Sequence, residues 1–399
     1  MANPSQVFDS NGNAVFEAIN FDAGGRQRAS LMTTLFDGKT LTIDDANIWE
    51  NVGTGTAAMT SGIMNLAVTS GQYIVRRSRT YTPYFSGKST CIEMTFDNFQ
   101  TVANLTKRAG YFSSNAAATY DTNKDGFWLE DDGVTKTLNI QNNGTSLLSL
   151  PISKWDNYEK IKNYDWSKFT VIFFDYLWLG GTALRFFLEV EGQFVLVHTH
   201  KHAGRVSGPF IKSPNQTVRY ELRSSTGVGN FNAICSQVAT EGSLDESGKP
   251  VALINAASIT CNTIGTIYAL KGVKKVSTYR DTAVQITDFS IASTQSNTAG
   301  ILMLIKNPTL SVALTYVARS KISDGSPTTA GSPPTITADT GQILSAVSVG
   351  QGGSGRELTK SFLNFLSISL ADVADEYIVA FMPTVSTQTL NAVLVIKEF

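Results

Sequence analysis

The sequence predicts an all-β protein made of two tandem β-sandwiches preceded by an N-terminal arm. Charged residues make up 16% of the 399-residue chain, and Ser, Thr, Asn and Gly fill much of the remainder. That share is well below the roughly one quarter that is usual in soluble proteins. Apolar and polar residues alternate along short runs, which is the period of half-buried strands. Turn-forming residues separate the runs, as they do in sandwich folds.

Residues 1–36 are predicted to form the arm. They show no sustained period and are rich in Asn, Asp, Gly and Ser, with apolar islands such as Val15-Phe16 and Ile19-Asn20-Phe21. A segment too polar to fold alone buries such islands against a partner. We therefore expect this arm to reach a neighbouring subunit. No secretory signal is expected, because the start lacks a basic region followed by an apolar core.

Residues 37–242 are predicted to form the first sandwich. Strand-like runs such as "TCIEMTFDNF", "KFTVIFFDYLWL" and "QTVRYELRSS" alternate with turn signals such as "SGK" and "EDDG". Glu191-Gly192 marks the tip of a hairpin. The stretch "DNYEKIKNYDWSK" is the one helical candidate. Many short strands at regular spacing indicate a sandwich or a jelly roll.

Residues 243–254 are predicted to be a linker, and residues 255–399 a second sandwich. The linker is polar and contains Gly and Pro. The region after it returns to strand-like runs, among them "SITCNTIGTIYAL", "GILMLIKN" and "NAVLVIKEF".

The charge balance argues against two classes of partner. The chain holds 32 basic and 33 acidic residues, for a net charge of −1. Bulk electrostatics therefore predict no direct nucleic-acid binding and no attraction to anionic membranes. The longest apolar run is interrupted by Asp175, Arg185 and Glu189, so it predicts two strands and not a membrane span. The cysteines Cys91, Cys235 and Cys261 are predicted to be free thiols in a reducing compartment.

Two glycine motifs resemble nucleotide-binding loops, and neither fits. "YFSGKST" has Thr82 where a P-loop needs its first glycine, and strand-like residues follow Gly87 instead of a helix. "GQGGSG", Gly350 to Gly355, has the literal dinucleotide pattern, with Asp372 or Asp375 as the acidic residue. No βαβ series surrounds it, so a Gly/Ser hairpin loop is the better interpretation.

Two sets of carboxylates are candidates for glycosidase pairs: Glu130 with Asp131 and Asp132 in "WLEDDG", and Glu189 with Glu191. Acids two positions apart on one strand face the same side of a sheet, as sandwich glycosidases require. Both sets run into hairpin turns and lack a third acid. Turn formation and solvation are therefore favoured, and no catalytic residue is predicted.

The three histidines of the chain, His198, His200 and His202, alternate within "FVLVHTHKHAG". Neighbouring members could share a zinc ion, with Zn–N near ~2.1 Å. The outer two lie ~13 Å apart along a straight strand, too far for all three to bind one ion. We expect the imidazoles to bond to neighbouring strands or stack on aromatic rings. No metal site, cofactor or cofactor-binding residue is predicted.

Several motifs in order form a family pattern. They are "SGQYIVRRSRTYTPYFSGKS", "KRAGYF", "DGFWLE", "FFDYLWLGGTALRFFLEVEGQFVLVHTHKHAG" and "PFIKSPNQTVRYEL". The set resembles a family of virion structural proteins of tailed bacteriophages and related large DNA viruses. The resemblance covers about residues 45–242. His198 and His202 fall on the family's two-histidine pattern, while His200 is an addition of this sequence.

The resemblance implies a concanavalin A-like jelly roll that serves as a non-enzymatic building block of the virion. The roles it implies are capsid decoration, head fibre, or neck or tail appendage. Other capsid or tail proteins are then the expected partners, and the chain folds in the host cytoplasm before joining the virion. The scarcity of charge on a many-stranded fold also predicts a homo-oligomer, either a cyclic ring or a trimer.

One alternative stays open at this stage. Sandwich folds also host carbohydrate-binding and glycan-hydrolysing proteins, such as a receptor-binding module for a host surface glycan. An aromatic-lined cleft with two carboxylates ~5–9.5 Å apart would favour hydrolysis.

Overall fold

The structure is a computed structural model that divides the chain into two compact units, Met1–Glu246 and Ser247–Phe399. It describes residues 22–23, 25–26, 28, 31–39, 43–114, 123–242, 248–255, 257–293, 295, 298–319, 321–328, 333–350, 365–385 and 387–399, with the strand backbones at 7–8, 14–15 and 355–358. Each unit is described by itself below.

The described part of the first unit is almost entirely β. Its 3₁₀ helices are single turns at Ile152–Lys154 and Tyr158–Lys160. Its strands in chain order are β1 (Val7–Phe8), β2 (Ala14–Val15), β3 (Met32–Asp37), β4 (Trp49–Gly53), β5 (Thr56–Thr60), β6 (Ile63–Val68), β7 (Tyr73–Ser78), β8 (Thr90–Asp97), β9 (Leu105–Ser114), β10 (Lys124–Asp131), β11 (Lys136–Asn142), β12 (Thr145–Pro151), β13 (Thr170–Leu177), β14 (Ala183–Val190), β15 (Gln193–Lys201), β16 (Val218–Ser224) and β17 (Gly229–Glu241).

These strands build two large antiparallel sheets. The seven-stranded sheet has the order β12-β11-β10-β9-β16-β7-β4. The eight-stranded sheet has the order β15-β14-β13-β8-β17-β6-β5, and β3 pairs with β17. The chain changes sheet eight times, between β3 and β4, β4 and β5, β6 and β7, β7 and β8, β8 and β9, β12 and β13, β15 and β16, and β16 and β17. This alternation is the jelly-roll arrangement, and the prediction of a concanavalin A-like jelly roll is confirmed.

Aromatic residues join the two sheets through the core. Phe127 of the seven-stranded sheet meets Phe174 of the eight-stranded sheet with ring centroids 5.1 Å apart. Tyr111 and Tyr176 meet in the same way at 5.8 Å. All four rings are fully buried. The faces that carry these rings are the inner faces of the sheets, and the faces that point away from them are the outer faces.

The end of the predicted arm belongs to the sandwich. Residues 32–37 form β3, whose Phe36 is buried and packs edge-on against Trp49 at 5.4 Å. Burial of this ring accounts for the ordered pairing. Most of the remaining predicted arm, including Val15-Phe16 and Ile19-Asn20-Phe21, lies outside the residues whose packing is described.

The predicted helix "DNYEKIKNYDWSK" is wrong. This segment contains only the single 3₁₀ turn at Tyr158–Lys160, followed by turns. The N–H of Asn157 donates to the Val197 carbonyl at 3.2 Å, and its side-chain amide donates to the Leu196 carbonyl at 2.8 Å. The segment therefore bonds to a strand edge and does not close helical turns.

The second unit is also a sandwich of two antiparallel sheets. Their orders are β18-β28-β21-β26, with β19 also paired to β28, and β23-β24-β20-β27-β22-β25. A single-turn 3₁₀ helix spans Ser277–Tyr279. The strands are β18 (Lys249–Ile254), β19 (Ile259–Cys261), β20 (Tyr268–Lys275), β21 (Val284–Ser293), β22 (Gly300–Lys306), β23 (Thr315–Arg319), β24 (Ile322–Ser326), β25 (Gln342–Val349), β26 (Gly355–Leu358), β27 (Tyr377–Pro383) and β28 (Gln388–Glu398).

The core of this unit lies between its two sheets. Phe289 and Leu394 from one sheet and Leu304 and Phe381 from the other belong to one buried cluster. Much of the predicted linker is part of this sandwich, because residues 249–254 form β18 and bury Leu253 in the same cluster. No helix in the described residues is long and apolar enough to cross a membrane.

Gly110 is expected to be essential for the packing of the seven-stranded sheet. A Cβ at this position would lie 2.5 Å from the Cα of Trp128 on the adjacent strand, a backbone atom that cannot easily move. Gly110→Ala should therefore lower the free energy of unfolding by about 2–3 kcal/mol, measured by urea denaturation. Gly227→Ala is the control, because its Cβ would meet only ordinary contacts at 3.6 Å or more. Equal stability of the two variants would contradict the packing argument.

Candidate functional site: the outer face of the seven-stranded sheet

Three of the family-like motifs converge on the outer face of the seven-stranded sheet. "KRAGYF" lies on β9, "GFWLE" on β10 and "VRYEL" on β16, and these are three neighbouring strands. Glu221, Arg108 and Glu130 lie directly opposite one another in the strand register. These motif residues are far apart in sequence and form one row of charges across the three strands. We call this row, together with the nearby Arg219 and Lys124, the charge ladder.

The central contacts of the charge ladder are direct ion pairs. Arg108 Nη1 donates to Glu221 Oε2 at 2.8 Å, and Arg108 Nε bonds to Glu130 Oε2. Arg219 Nη2 lies 2.7 Å from Glu221 Oε1, and both side chains are fully buried. Trp128 Nε1 donates to Glu130 Oε2 at 3.1 Å. Glu221 is therefore held by two guanidinium groups, and Glu130 by one guanidinium and one indole.

A second row runs beside the first. Glu50 on β4, Arg77 on β7 and Arg219 on β16 are cross-strand neighbours. Like charges directly opposite each other are destabilising, so Arg77 and Arg219 each need an anion. Glu50 supplies it to Arg77 at 3.1 Å, and Glu221 supplies it to Arg219.

This arrangement keeps Glu221 ionised. Burial alone would raise the pKa of Glu221, but Arg219, Lys124 and Arg108 together lower it to about 2. The ammonium of Lys124 is affected in the opposite sense, because burial lowers its pKa to about 8. A glycosidase acid needs a raised pKa so that it holds a proton at neutral pH. Glu221 is therefore suited to pairing with the Arg108 and Arg219 guanidinium groups and not to donating a proton.

The outer face of the eight-stranded sheet has a smaller ion cluster. Asp175 is fully buried, bonds to Ser89 Oγ, and lies 3.0 Å from Arg185 Nε and 2.8 Å from Arg28 Nη2. Asp175, Arg185 and Ser89 also belong to the family-like motifs. Cys91 lies across from Asp175, and burial raises the pKa of its thiol well above the ordinary value. A thiol whose pKa is raised in this way is a poor nucleophile.

His198 and His200 lie on β15, at one side of the eight-stranded sheet, and His202 follows the end of this strand. Asp156 Oδ2 lies 3.0 Å from His198 Nδ1 and accepts the Thr199 N–H at 3.0 Å. Together with Asn157, which bonds to the Leu196 and Val197 carbonyls, it seals the free edge of this strand. The part of a strand edge that is covered in this way is less open to pairing with another chain.

His200 and His202 are linked by a hydrogen bond, and His202 is also bonded to a backbone carbonyl. His202 Nε2 lies 2.8 Å from the Gly208 carbonyl and must donate to it, because a carbonyl only accepts. His202 Nδ1 is then the acceptor for His200 Nε2, 3.3 Å away. Both rings pack near Phe210. Gly181 gives His202 its space, since a Cβ there would lie 2.6 Å from the imidazole.

Burial lowers the pKa of two of the imidazoles, those of His200 and His198. It lowers the pKa of His200 to about 4, with His202 and His198 as further causes. It also lowers the pKa of His198, although Asp156 acts in the opposite sense. In the part of the chain that the structure describes, no three His, Cys, Asp or Glu side chains are grouped to hold a metal ion.

The acidic residues of "WLEDDG" and those of the Glu189 and Glu191 pair make different contacts in the structure. Glu130 belongs to the charge ladder, whereas Asp131 bonds to Lys136 Nζ at 2.6 Å and Asp132 accepts the Val134 and Thr135 N–H groups in the turn. Glu191 forms the hairpin tip with a φ of 52°, and Glu189 accepts the Gly192 N–H. Both Asp residues and both Glu residues of the hairpin therefore take part in forming turns.

The two glycine motifs are also placed. Gly87 lies in a turn with a φ of 80°, and the Lys88 N–H donates to the Phe85 carbonyl at 3.0 Å. The segment 350–355 joins β25 to β26, which lie in different sheets, so the predicted hairpin loop is wrong. Residues 351–354 lie outside the described residues.

Comparisons with known proteins give likenesses of fold. No family model matches the chain, and no curated protein matches it. The structure is similar to the Emp47p carbohydrate recognition domain, at 15% identity over 54% of this chain and 99% of that one, with a TM-score of 0.36. It is similar to a Bacillus licheniformis β-glucanase, at 14% identity over 54% and 98%, with a TM-score of 0.33. It is also similar to arcelin-5, a lectin-like defence protein from Phaseolus vulgaris, at 11% identity over 53% and 99%, with a TM-score of 0.35. Values this low say nothing about a ligand or an activity of this chain.

Neutralising Glu221 should destabilise the jelly roll strongly. Glu221→Gln leaves Arg108 and Arg219 without their shared anion, and breaking a buried ion pair costs about 3–5 kcal/mol. Glu159→Gln is the matched control, because Glu159 pairs with Lys162 on the surface and such pairs contribute about 0–1 kcal/mol. Urea denaturation of both variants measures the difference. A loss for Glu221→Gln no larger than that for Glu159→Gln would show that the charge ladder contributes little.

Stability should decline as the pH falls from about 6.5 toward 4. The unfolded chain takes up a proton on His200 near its ordinary pKa of 6.5, whereas the folded chain does so near 4. Folding thus opposes protonation, and each unit of pKa difference corresponds to about 1.4 kcal/mol. His200→Gln removes this titration and keeps an amide donor, so its free energy of unfolding should depend less on pH. Denaturation curves at several pH values compare the slopes, and equal slopes would contradict the assignment.

Proposed function

We propose that this chain is a non-enzymatic structural protein that acts through protein–protein assembly, as a component of a tailed-bacteriophage virion. The observation on which this rests is the absence of charge from three outer strands. β5 and β12 in the first unit and β25 in the second contain no Asp, Glu, Lys or Arg. Monomeric proteins usually protect such strands with charges or covers. Uncharged outer strands favour pairing with another chain.

The chain protects other edges by ordinary means, which makes the contrast specific. β15 is sealed by Asp156 and Asn157. β18 begins with Lys249 and Pro250, a charge and a residue without an N–H donor. Among the described residues, β5 and β25 have no such protection, whereas β12 accepts one hydrogen bond from Trp155 Nε1 at the Leu150 carbonyl.

The virion assignment rests on the resemblance of the motifs, and the charge ladder supports a non-enzymatic role for them. Arg108, Glu130 and Glu221 are engaged with one another, and Glu221 remains ionised with a pKa of about 2. Motif residues that hold three strands in register fit a building block. Capsid decoration, head fibre and neck or tail appendage all remain within this proposal.

Carbohydrate binding is the second candidate, and one pocket favours it. A cavity of about 390 Å³ lies between residues 159–165 and Val190–Glu191. Tyr164 lines it and packs against Trp166 with ring centroids 5.0 Å apart, while exposed Asn163 and Asp165 provide polar groups. A half-buried ring beside amide and carboxylate groups is a combination that can stack on and hydrogen-bond to a sugar.

Purified phage particles from a host that produces this chain provide the test. We expect the chain to co-purify with them in a fixed copy number and to withstand a high-salt wash, measured by quantitative mass spectrometry. Its presence only in the soluble fraction would contradict the virion proposal. Glycan-array binding that is lost in Tyr164→Ala and kept in Tyr158→Ala would instead support the second candidate.

A further inference from the structure

The hairpin of β5 and β6 lies in the longest stretch of the sequence that has no charged residue, and β5 is an outer strand of its sheet. No Asp, Glu, Lys or Arg occurs between Glu50 and Arg76. β5 pairs only with β6 among the described strands. Its residues Thr56, Ala58 and Thr60 are exposed, and Ala57 and Met59 are half-buried. These side chains are short or flexible, so they shield the strand's backbone poorly.

The turn determines which backbone groups of β5 point outward. Ser61 and Gly62 join the strands with φ angles of 51° and 80°, as in a type I′ turn. Thr60 and Ile63 flank this two-residue loop and are paired, so they exchange hydrogen bonds. Because such pairs alternate along antiparallel strands, Ala58 also bonds toward β6. The N–H and C=O groups of Ala57 and Met59 therefore face the free edge.

We propose that β5 pairs antiparallel with β5 of a second copy of this chain, about a two-fold axis at Ala58. This inference deepens the proposed assembly function and depends on it. In this register Ala57 opposes Met59 of the partner, and their outward backbone groups exchange hydrogen bonds. Ala58 opposes its own copy as a non-hydrogen-bonded pair, with Cα atoms about 4.5 Å apart. The two eight-stranded sheets then form one continuous sheet.

The absence of charged residues on β5 favours a second copy of this chain as the partner. A two-fold contact places each residue against its own surface, so any charge on β5 would face a like charge. β5 has none, and its small side chains let the two backbones approach. A five-residue strand pair is smaller than a standard interface. We therefore expect weak association, with a Kd of about 10–100 μM, which repeated contacts in a particle would strengthen.

Opposite charges at Ala58 test the pairing. Ala58→Lys and Ala58→Glu each place like charges together at the axis, so each should raise the dimer Kd at least about tenfold in sedimentation velocity. An equimolar mixture should recover the wild-type Kd within about threefold. Ser207→Lys is the control, because it adds the same charge at an exposed loop that follows β15, the outer strand at the other edge of the eight-stranded sheet. Thermal melts establish that every variant is folded.

Cysteine variants test the register independently. Ala58→Cys should form a disulfide-linked dimer under mild oxidation, because its own copy lies within disulfide distance. Thr56→Cys should not, because it faces Thr60 of the partner. Wild type, with its native Cys91, Cys235 and Cys261, gives the background.

The outcomes separate this inference from the proposed function. Wild type that remains monomeric at about 500 μM overturns the β5 pairing, and so does dimerisation that Ala58→Lys leaves unchanged. Incorporation of the Ala58→Lys protein into particles would then keep the assembly function while rejecting this interface. Loss of the dimer in both charge variants with recovery in the mixture would support it.

Discussion

The contact of Glu221 with Arg108 and Arg219 is the constraint on which the seven-stranded sheet depends. Glu221 and Arg219 are fully buried and Arg108 is partly buried, so removing Glu221 leaves two guanidinium groups without their shared anion. A strand that slips by one residue turns every side chain to the opposite face. Such a slip on β16 would point Arg219 and Glu221 into the aromatic core. The charge ladder therefore fixes register as well as contributing contact energy.

The inner face of the same strands shows what the ladder protects. Tyr220 lies between Arg219 and Glu221 in sequence and points inward, where its hydroxyl donates to the Cys235 carbonyl at 3.0 Å. Tyr111, which follows Gly110, packs against Phe127 and Tyr176. Alternation along β9 and β16 thus places Arg108, Arg219 and Glu221 on the outer face and Tyr111 and Tyr220 on the inner face. The motifs "RAGYF" and "VRYEL" combine both requirements in a few residues.

The sequence was sufficient for the fold class because the alternation of apolar residues is a local signal. The charge ladder could not be derived in the same way, because Arg108 and Glu221 are 113 positions apart and a single sequence contains no record of their pairing. The spacing of Arg219 and Glu221, two positions apart on one strand, was the available clue. Local sequence patterns did not predict contacts between residues far apart in the chain. Asn157 bonds to β15, so its segment does not form the predicted helix. Leu253 is buried in the core of the second unit, so β18 is part of that sandwich although the sequence predicted a linker there.

The two edges of the eight-stranded sheet differ in how far they are covered. At one side, Asp156 and Asn157 bond to the Thr199 N–H and to the Leu196 and Val197 carbonyls of β15, and His198 lies against Asp156. At the other side, the β5 edge has neither charge nor cover among the described residues. If both edges were open, copies could add without limit into filaments, because each sheet would offer two pairing surfaces. If copies pair through β5 as we propose, the covered part of β15 would keep a further copy from adding at the other side of this sheet. The bonds that Asp156 and Asn157 make to β15 would then limit growth of the sheet without requiring a metal or a catalytic group.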